Sequence, residues 1–162
     1  MLRDALSVIW RGLPRGWRRL GLILMMPRFT VTAGAVIEDE GGRILLLRHR
    51  YRPGSGWGIP GGFIKPGEQP EAALRRELSE EIDVELQNVE LAFVRTLRRY
   101  RQVETIFRAR LDGVPRPSSS EVIEAQWFTR TELPSGLSND QRELLARALS
   151  WEKSGWGNEG EV

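Results

Sequence analysis

Glu77, Glu80 and Glu81 stand at i, i+3 and i+4 spacing. In an α-helix, where successive residues step by about 100°, they fall within an arc of roughly 100° and point the same way. Carboxylates displayed together repel, by roughly 0.2–0.5 kcal/mol per i,i+4 pair even on an exposed helix. Something must compensate. One candidate is arginine, since Arg75 and Arg76 are near and Arg76 lies four residues before Glu80. The other is a hard divalent cation such as magnesium, which takes carboxylate oxygens. Residue types and spacing leave both open.

The elements that position these groups follow from periodicity. "QPEAALRRELSEEID" (69–83) reads as a helix: Pro70 sits near its first turn, and Leu74, Leu78 and Ile82 form an apolar stripe beside the carboxylate face. Before it, "RPGSGWGIPGG" (52–62) reads as loop with at most a short strand at Trp57–Ile59. Earlier still, "FTVTAGAVIED" and "RILLLRHRY" read as strands joined by a turn at 40–42. Two more strands are expected near Glu90–Arg99 and Val103–Leu111. "GVPRPSSS" follows as a loop, then a strand at Ile123–Thr129 and a closing helix at Ser138–Glu152 capped by Ser138 or Asn139. Strands around one central helix, with a second helix at the end, predict an α/β layered domain around a mixed sheet.

Taken whole, "GFIKPGEQPEAALRRELSEEIDV" (62–84) resembles the Nudix box, G-x5-E-x7-R-E-U-x-E-E-x-G-U with U a bulky apolar residue. Eight of its nine specified positions agree. The preceding Trp57-Gly58-Ile59-Pro60-Gly61 and the later "EAQWFTRTELP" (124–134) are similar to the entry and the closing strand in that family, so the resemblance spans about Phe29 to Pro134. It implies a Nudix-like α/β/α sandwich and a metal-dependent hydrolase that cuts a diphosphate linkage. Glu77, Glu80 and Glu81, with the Gly61 carbonyl, would hold Mg2+ or Mn2+. Arg76 would orient a catalytic carboxylate, and Glu68 would brace the loop against the helix. Glu77 is the first choice as general base; the family sometimes uses a glutamate from a later loop, here Glu121, with Glu124 behind it. Gly61 and Gly62 would let the backbone approach metal and phosphates, where a side chain obstructs. Arg50, Tyr51 and Arg52 flank the box and are candidate substrate contacts with Gly62. Trp57 is read as core, and His49 as a packing or capping residue. The departure is Asp83 where the pattern asks for glycine, so Asp83 is expected at positive φ with a penalty of about 1 kcal/mol.

Composition sets the frame. The chain has 162 residues, 28% charged, with a net charge of +2 and no cysteine, which excludes disulfides, thiolate zinc sites and cysteine nucleophiles. That absence fits a reducing cytoplasm, the expected location. Positive charge is uneven: residues 1–28 hold six arginines and one acid, with further basic clusters at Arg48–Arg52 and at Arg95, Arg98, Arg99 and Arg101. Three segments are expected: a basic amphipathic helical arm (1–28), the hydrolase domain with its C-terminal helix (29–152) and a flexible tail (153–162). In the arm, one helix is read over Leu2–Leu13 and a second over Gly16–Met26. The simpler expectation packs the arm on the domain or across a homodimer, with its arginines solvated. The alternative is a weak membrane-surface or partner contact. A small nucleotide is the expected substrate; the alternative from another class is a non-catalytic Nudix-like sensor that binds such a nucleotide, against which the intact Glu77, Glu80 and Glu81 argue. Nucleic acid is the less favoured partner, through action on RNA 5′ ends.

Overall fold

The computed structural model describes residue 12 and residues 14–150. The helix expected over Leu2–Leu13, apart from Gly12, and the tail after 152 lie outside the described residues. The elements run α1 (Arg15–Met25), β1 (Thr30–Ile37), β2 (Ile44–His49), β3 (Trp57–Gly58), β4 (Gly61–Phe63), α2 (Pro70–Ile82), β5 (Glu85–Leu97), β6 (Gln102–Asp112), β7 (Val122–Phe128) and α3 (Asn139–Ser150). No described helix is long and apolar enough to cross a membrane.

The strands form two sheets. One is mixed, in the order β4-β1-β6-β5, with β1 parallel to β6 and the other pairs antiparallel. The second, β3-β2-β7, is antiparallel. Alternation along β2 shows how this strand layer is covered on both faces. Leu45 and Leu47 join the apolar cluster beneath α2, whereas Ile44 and Leu46 join the cluster beneath α3. β1 does the same: Ala33, Ala35 and Ile37 face α2, and Val36 faces α3. Strands buried on both faces read as continuous apolar runs. The result is an α/β/α sandwich.

Leu74, Leu78 and Ile82 of α2 are fully buried against these strands. Each contributes roughly 1.5–3 kcal/mol. Asp83 ends the helix in the left-handed region (φ 54°, ψ 52°), its N–H donating to the Ser79 carbonyl at 3.2 Å. At α3 the cap is Ser138, whose hydroxyl accepts from the Gln141 N–H at 3.2 Å.

Several expected boundaries are corrected. The glycine-rich stretch contains a second strand, β4, which pairs antiparallel with β1 at Ala33–Gly62 and Gly34–Gly61. Two adjacent glycines carry no side-chain alternation to announce a strand. β5 begins at Glu85 rather than near Glu90, and Arg98–Tyr100 form a 3-10 helix instead of finishing that strand. α1 forms close to where it was expected, yet it is not packed into the domain core: Trp17, Leu20 and Leu24 are exposed.

Candidate active site

The carboxylate face of α2 lies against β4 on one side and against the 116–122 segment on the other. Gly62 is where β4 touches the helix. A Cβ there would lie within 2.6 Å of both Glu77 carboxylate oxygens, so glycine alone leaves them room. Gly61, at φ 145°, has a Cβ position that collides with the backbone of Ala33 and Gly34. Both glycines are thus required for contact, one with a side chain and one with the neighbouring strand.

Arg76 holds the box together. Its Nε donates to Glu68 Oε1 at 2.8 Å and its Nη2 to Glu68 Oε2 at 3.0 Å and the Phe63 carbonyl at 3.1 Å. Nη1 donates to Glu77 Oε1 at 2.8 Å and Glu80 Oε2 at 3.4 Å. Hydrogen bonds from Arg76, and from the Lys65 N–H at 2.9 Å, hold the Glu68 carboxyl down at about 2. Glu68 therefore ties the loop at 65–68 to the helix.

Glu81 is the strained member. Burial pushes its carboxyl up to about 8, reinforced by repulsion from Glu77, Glu121 and Glu80 and opposed by Arg52. Its Oε2 is buried without a hydrogen-bond partner. Two more such orphans belong to its neighbours, His49 Nε2 and Arg52 Nη1. His49 Nδ1 stands 3.6 Å from Glu81 Oε1, beyond hydrogen-bond range. Burial and Arg52 push the His49 ring down to about 4, so it is neutral at pH 7 and forms no ion pair there. Buried polar groups are nearly always satisfied, and three orphans at one place mark a site built for something else.

A divalent cation fits the donor chemistry: hard carboxylate oxygens, one of them buried, unpartnered and repelled by three other glutamates. Among the described residues, however, no three His, Asp or Glu side chains already stand at metal-holding spacing. Arg76 shares Glu77 and Glu80 between its bonds, and the Glu80 side chain is 58% exposed. The ligand set is adjacent but not converged.

The 116–121 loop, legible in the sequence only as loop, closes the C-terminal end of α2. Ser118 donates from its N–H to the Glu81 carbonyl (2.9 Å) and from its hydroxyl to the Glu80 carbonyl (2.8 Å), while the Arg116 N–H donates to Ile82 (3.0 Å). These bonds satisfy carbonyls that every helix end leaves free. They also bring Glu121 close enough to raise Glu81. Glu124 is engaged elsewhere, paired with Arg48 at 3.0 Å.

Beside Gly61 and Gly62 lies a cavity of about 200 Å³ bounded by β1, β4, β6 and the start of α3. Arg52 reaches it, its Nη2 donating to the Ile59 carbonyl at 3.4 Å, and burial pushes its guanidinium below the usual value. Gln141 accepts from the Ile59 N–H at 2.9 Å, which turns its amide nitrogen away as a further donor. Of the expected substrate contacts, Arg52 and Gly62 line this cavity; Arg50 and Tyr51 do not. Arg50 Nε donates to the Ser120 carbonyl at 3.2 Å, and Tyr51 stands in solvent. Trp57 packs edge-on against Phe128, ring centres 5.1 Å apart, at the margin of the α3 cluster. Thr32, Gln102, Glu104 and Gln141 also line the cavity. No sequence pattern singled them out, because β1, β6 and α3 meet only in the fold.

Comparison with known proteins agrees with this architecture. The NUDIX domain model matches residues 28–148. A MutT-like protein from Streptomyces ambofaciens is 32% identical over 123 residues, covering 76% of this chain and 79% of that protein. An RNA pyrophosphohydrolase from a strain of Pseudomonas putida is 37% identical over 129 residues, covering 79% of this chain and 74% of that one. Among solved structures, a MutT NUDIX hydrolase from Burkholderia pseudomallei superposes with a TM-score of 0.66 at 30% identity, covering 75% of this chain and 98% of the other. The chain belongs to the NUDIX domain family and is a Nudix hydrolase.

Proposed function

We propose that this hydrolase cuts a diphosphate linkage in a nucleoside diphosphate joined to another moiety, such as a nucleoside triphosphate, ADP-ribose or another nucleotide sugar. The observation that carries the reading is Glu81, a buried carboxylate with an unpartnered oxygen, crowded by Glu77, Glu80 and Glu121. Nudix hydrolases generally use a divalent metal, and Glu77, Glu80, Glu81 and the Gly61 carbonyl are the groups that would hold Mg2+ or Mn2+ here. When bound, such an ion neutralises phosphate charge and lowers the pKa of an attacking water.

The chain's own groups do the rest. Arg76, bonded to both Glu68 oxygens, fixes the direction in which Glu77 presents its carboxylate. Glu77 is the first choice to take the proton of the water, with Glu121 the alternative from the later loop. Arg52 and Gln141 supply donors for the organic half of the substrate in the cavity beside Gly62.

A second reading, action on RNA 5′ ends, draws support from relatives named RNA pyrophosphohydrolase. One assay separates these readings: magnesium-dependent phosphate release across nucleoside triphosphates, nucleotide sugars and 5′-triphosphorylated RNA, with Glu81→Gln as the blank. Turnover of one class that collapses by orders of magnitude in the variant is expected. Undiminished release by Glu81→Gln would overturn the site assignment.

A further inference from the structure

Where β1 begins, next to β4, the chain carries an exposed apolar surface that has no part in the chemistry proposed above. On α1, Trp17, Leu20 and Leu24 follow i, i+3 and i+7 spacing and so form one stripe along the helix. They are exposed, Trp17 by 66% and Leu24 by 72%, and Met25 and Met26 extend the apolar surface past the helix end. Arg15 is exposed on the opposite side of the same helix, which also carries the exposed Leu22. From residue 5 to residue 37 the chain has no acidic residue.

This surface continues onto the domain. A hollow at the end of α1 is lined by Leu24, Met25, Met26, Pro27, Arg28 and Arg101. The Thr30 N–H donates to the Arg101 carbonyl at 3.0 Å, which fixes the turn between β5 and β6 beside the start of β1. That turn carries Arg98, Arg99 and Tyr100, with the Arg99 guanidinium 5.8 Å from the exposed Tyr100 ring centre. The apolar end of α1, Arg28 and Arg101 therefore meet at one hollow, with the exposed Tyr100 next to it along the turn.

We infer that this end docks on an anionic membrane surface, α1 lying in the interface with Trp17, Leu20 and Leu24 toward the acyl chains. Charge selects this occupant: the arginines match acidic headgroups, and an amphipathic basic helix with an interfacial tryptophan is the pattern that lies in such a surface. A polyphosphate chain such as RNA would meet the arginines but leave the aliphatic stripe in water. A second copy would bring an identically basic helix against this one.

The test is sedimentation of the full chain with vesicles of phosphatidylcholine alone or with roughly one-third phosphatidylglycerol. The expected result is binding to the anionic vesicles only, weakened by added salt. Leu20→Glu/Leu24→Glu should lower partitioning by about tenfold or more while leaving Mg2+-dependent phosphate release and the melting temperature unchanged. Unchanged release and melting show that the variant is folded. Absence of binding, indifference to phosphatidylglycerol, or full binding by the variant overturns the inference. So does a homodimer abolished by the same substitutions, or salt-sensitive RNA binding without vesicle binding.

Discussion

Replacing Gly62 by alanine places one methyl group where the Glu77 carboxylate lies. The added carbon would sit 2.5–2.6 Å from the two carboxylate oxygens, against an ordinary contact of 3.4–4 Å. Glu77 must therefore retreat by about 1 Å, and a misplacement of that size costs about a hundredfold in rate where geometry controls the chemistry. Fold stability should barely change, because the obstructing atoms are the mobile end of a side chain. The matched control is Gly61→Ala, whose Cβ meets Ala33 and Gly34 backbone at φ 145° and should destabilise the protein as well. Magnesium-dependent phosphate release and urea denaturation, measured together, separate the two effects. Activity within threefold of wild type in Gly62→Ala, or a loss matched by equal loss of stability, would refute the reasoning.

Three further outcomes follow from the same geometry. Asp83→Gly removes a left-handed aspartate and should raise stability by about 1 kcal/mol, read from the urea midpoint; a fall would contradict the cost assigned to φ 54°. Glu68 has its folded-state carboxyl lowered from 4.5 to about 2, so its ties favour the fold above pH 4.5 and are lost as pH falls toward 2. Glu68→Gln should flatten the acid-stability curve in that window, and an unchanged slope would show the Arg76 contact to be idle. Arg76→Lys replaces a planar fork serving Glu68, Glu77, Glu80 and Phe63 with a point charge, and kcat should fall by about tenfold or more with KM little changed. Normal kcat would remove Arg76 from its positioning role.

Much of the candidate site was legible because it sits on one helix. Apolar spacing at Leu74, Leu78 and Ile82 fixed which face is buried, and that in turn set Glu77, Glu80 and Glu81 together. The left-handed Asp83 followed from the helix stop. Charge clusters along the chain were poor guides, since neighbours in sequence part company in space. Arg48 pairs with Glu124, Arg52 turns inward, and Arg50 braces the 120–121 loop. Arg95, read with the basic turn, is consumed by Glu104 at 2.6 Å and Asp140 at 2.8 Å. The cavity lining and the cap that Ser118 places on α2 depend on contacts between elements distant in sequence, and no local pattern encodes them.

The most direct measurement is calorimetric titration of Mn2+ into the wild-type protein and into Glu81→Gln and Glu80→Gln. Saturable binding by the wild type, weakened at least about tenfold in each variant, is predicted from the crowded carboxylates on α2. Equal affinity in all three proteins would place the ion elsewhere and contradict the role assigned to that helix face.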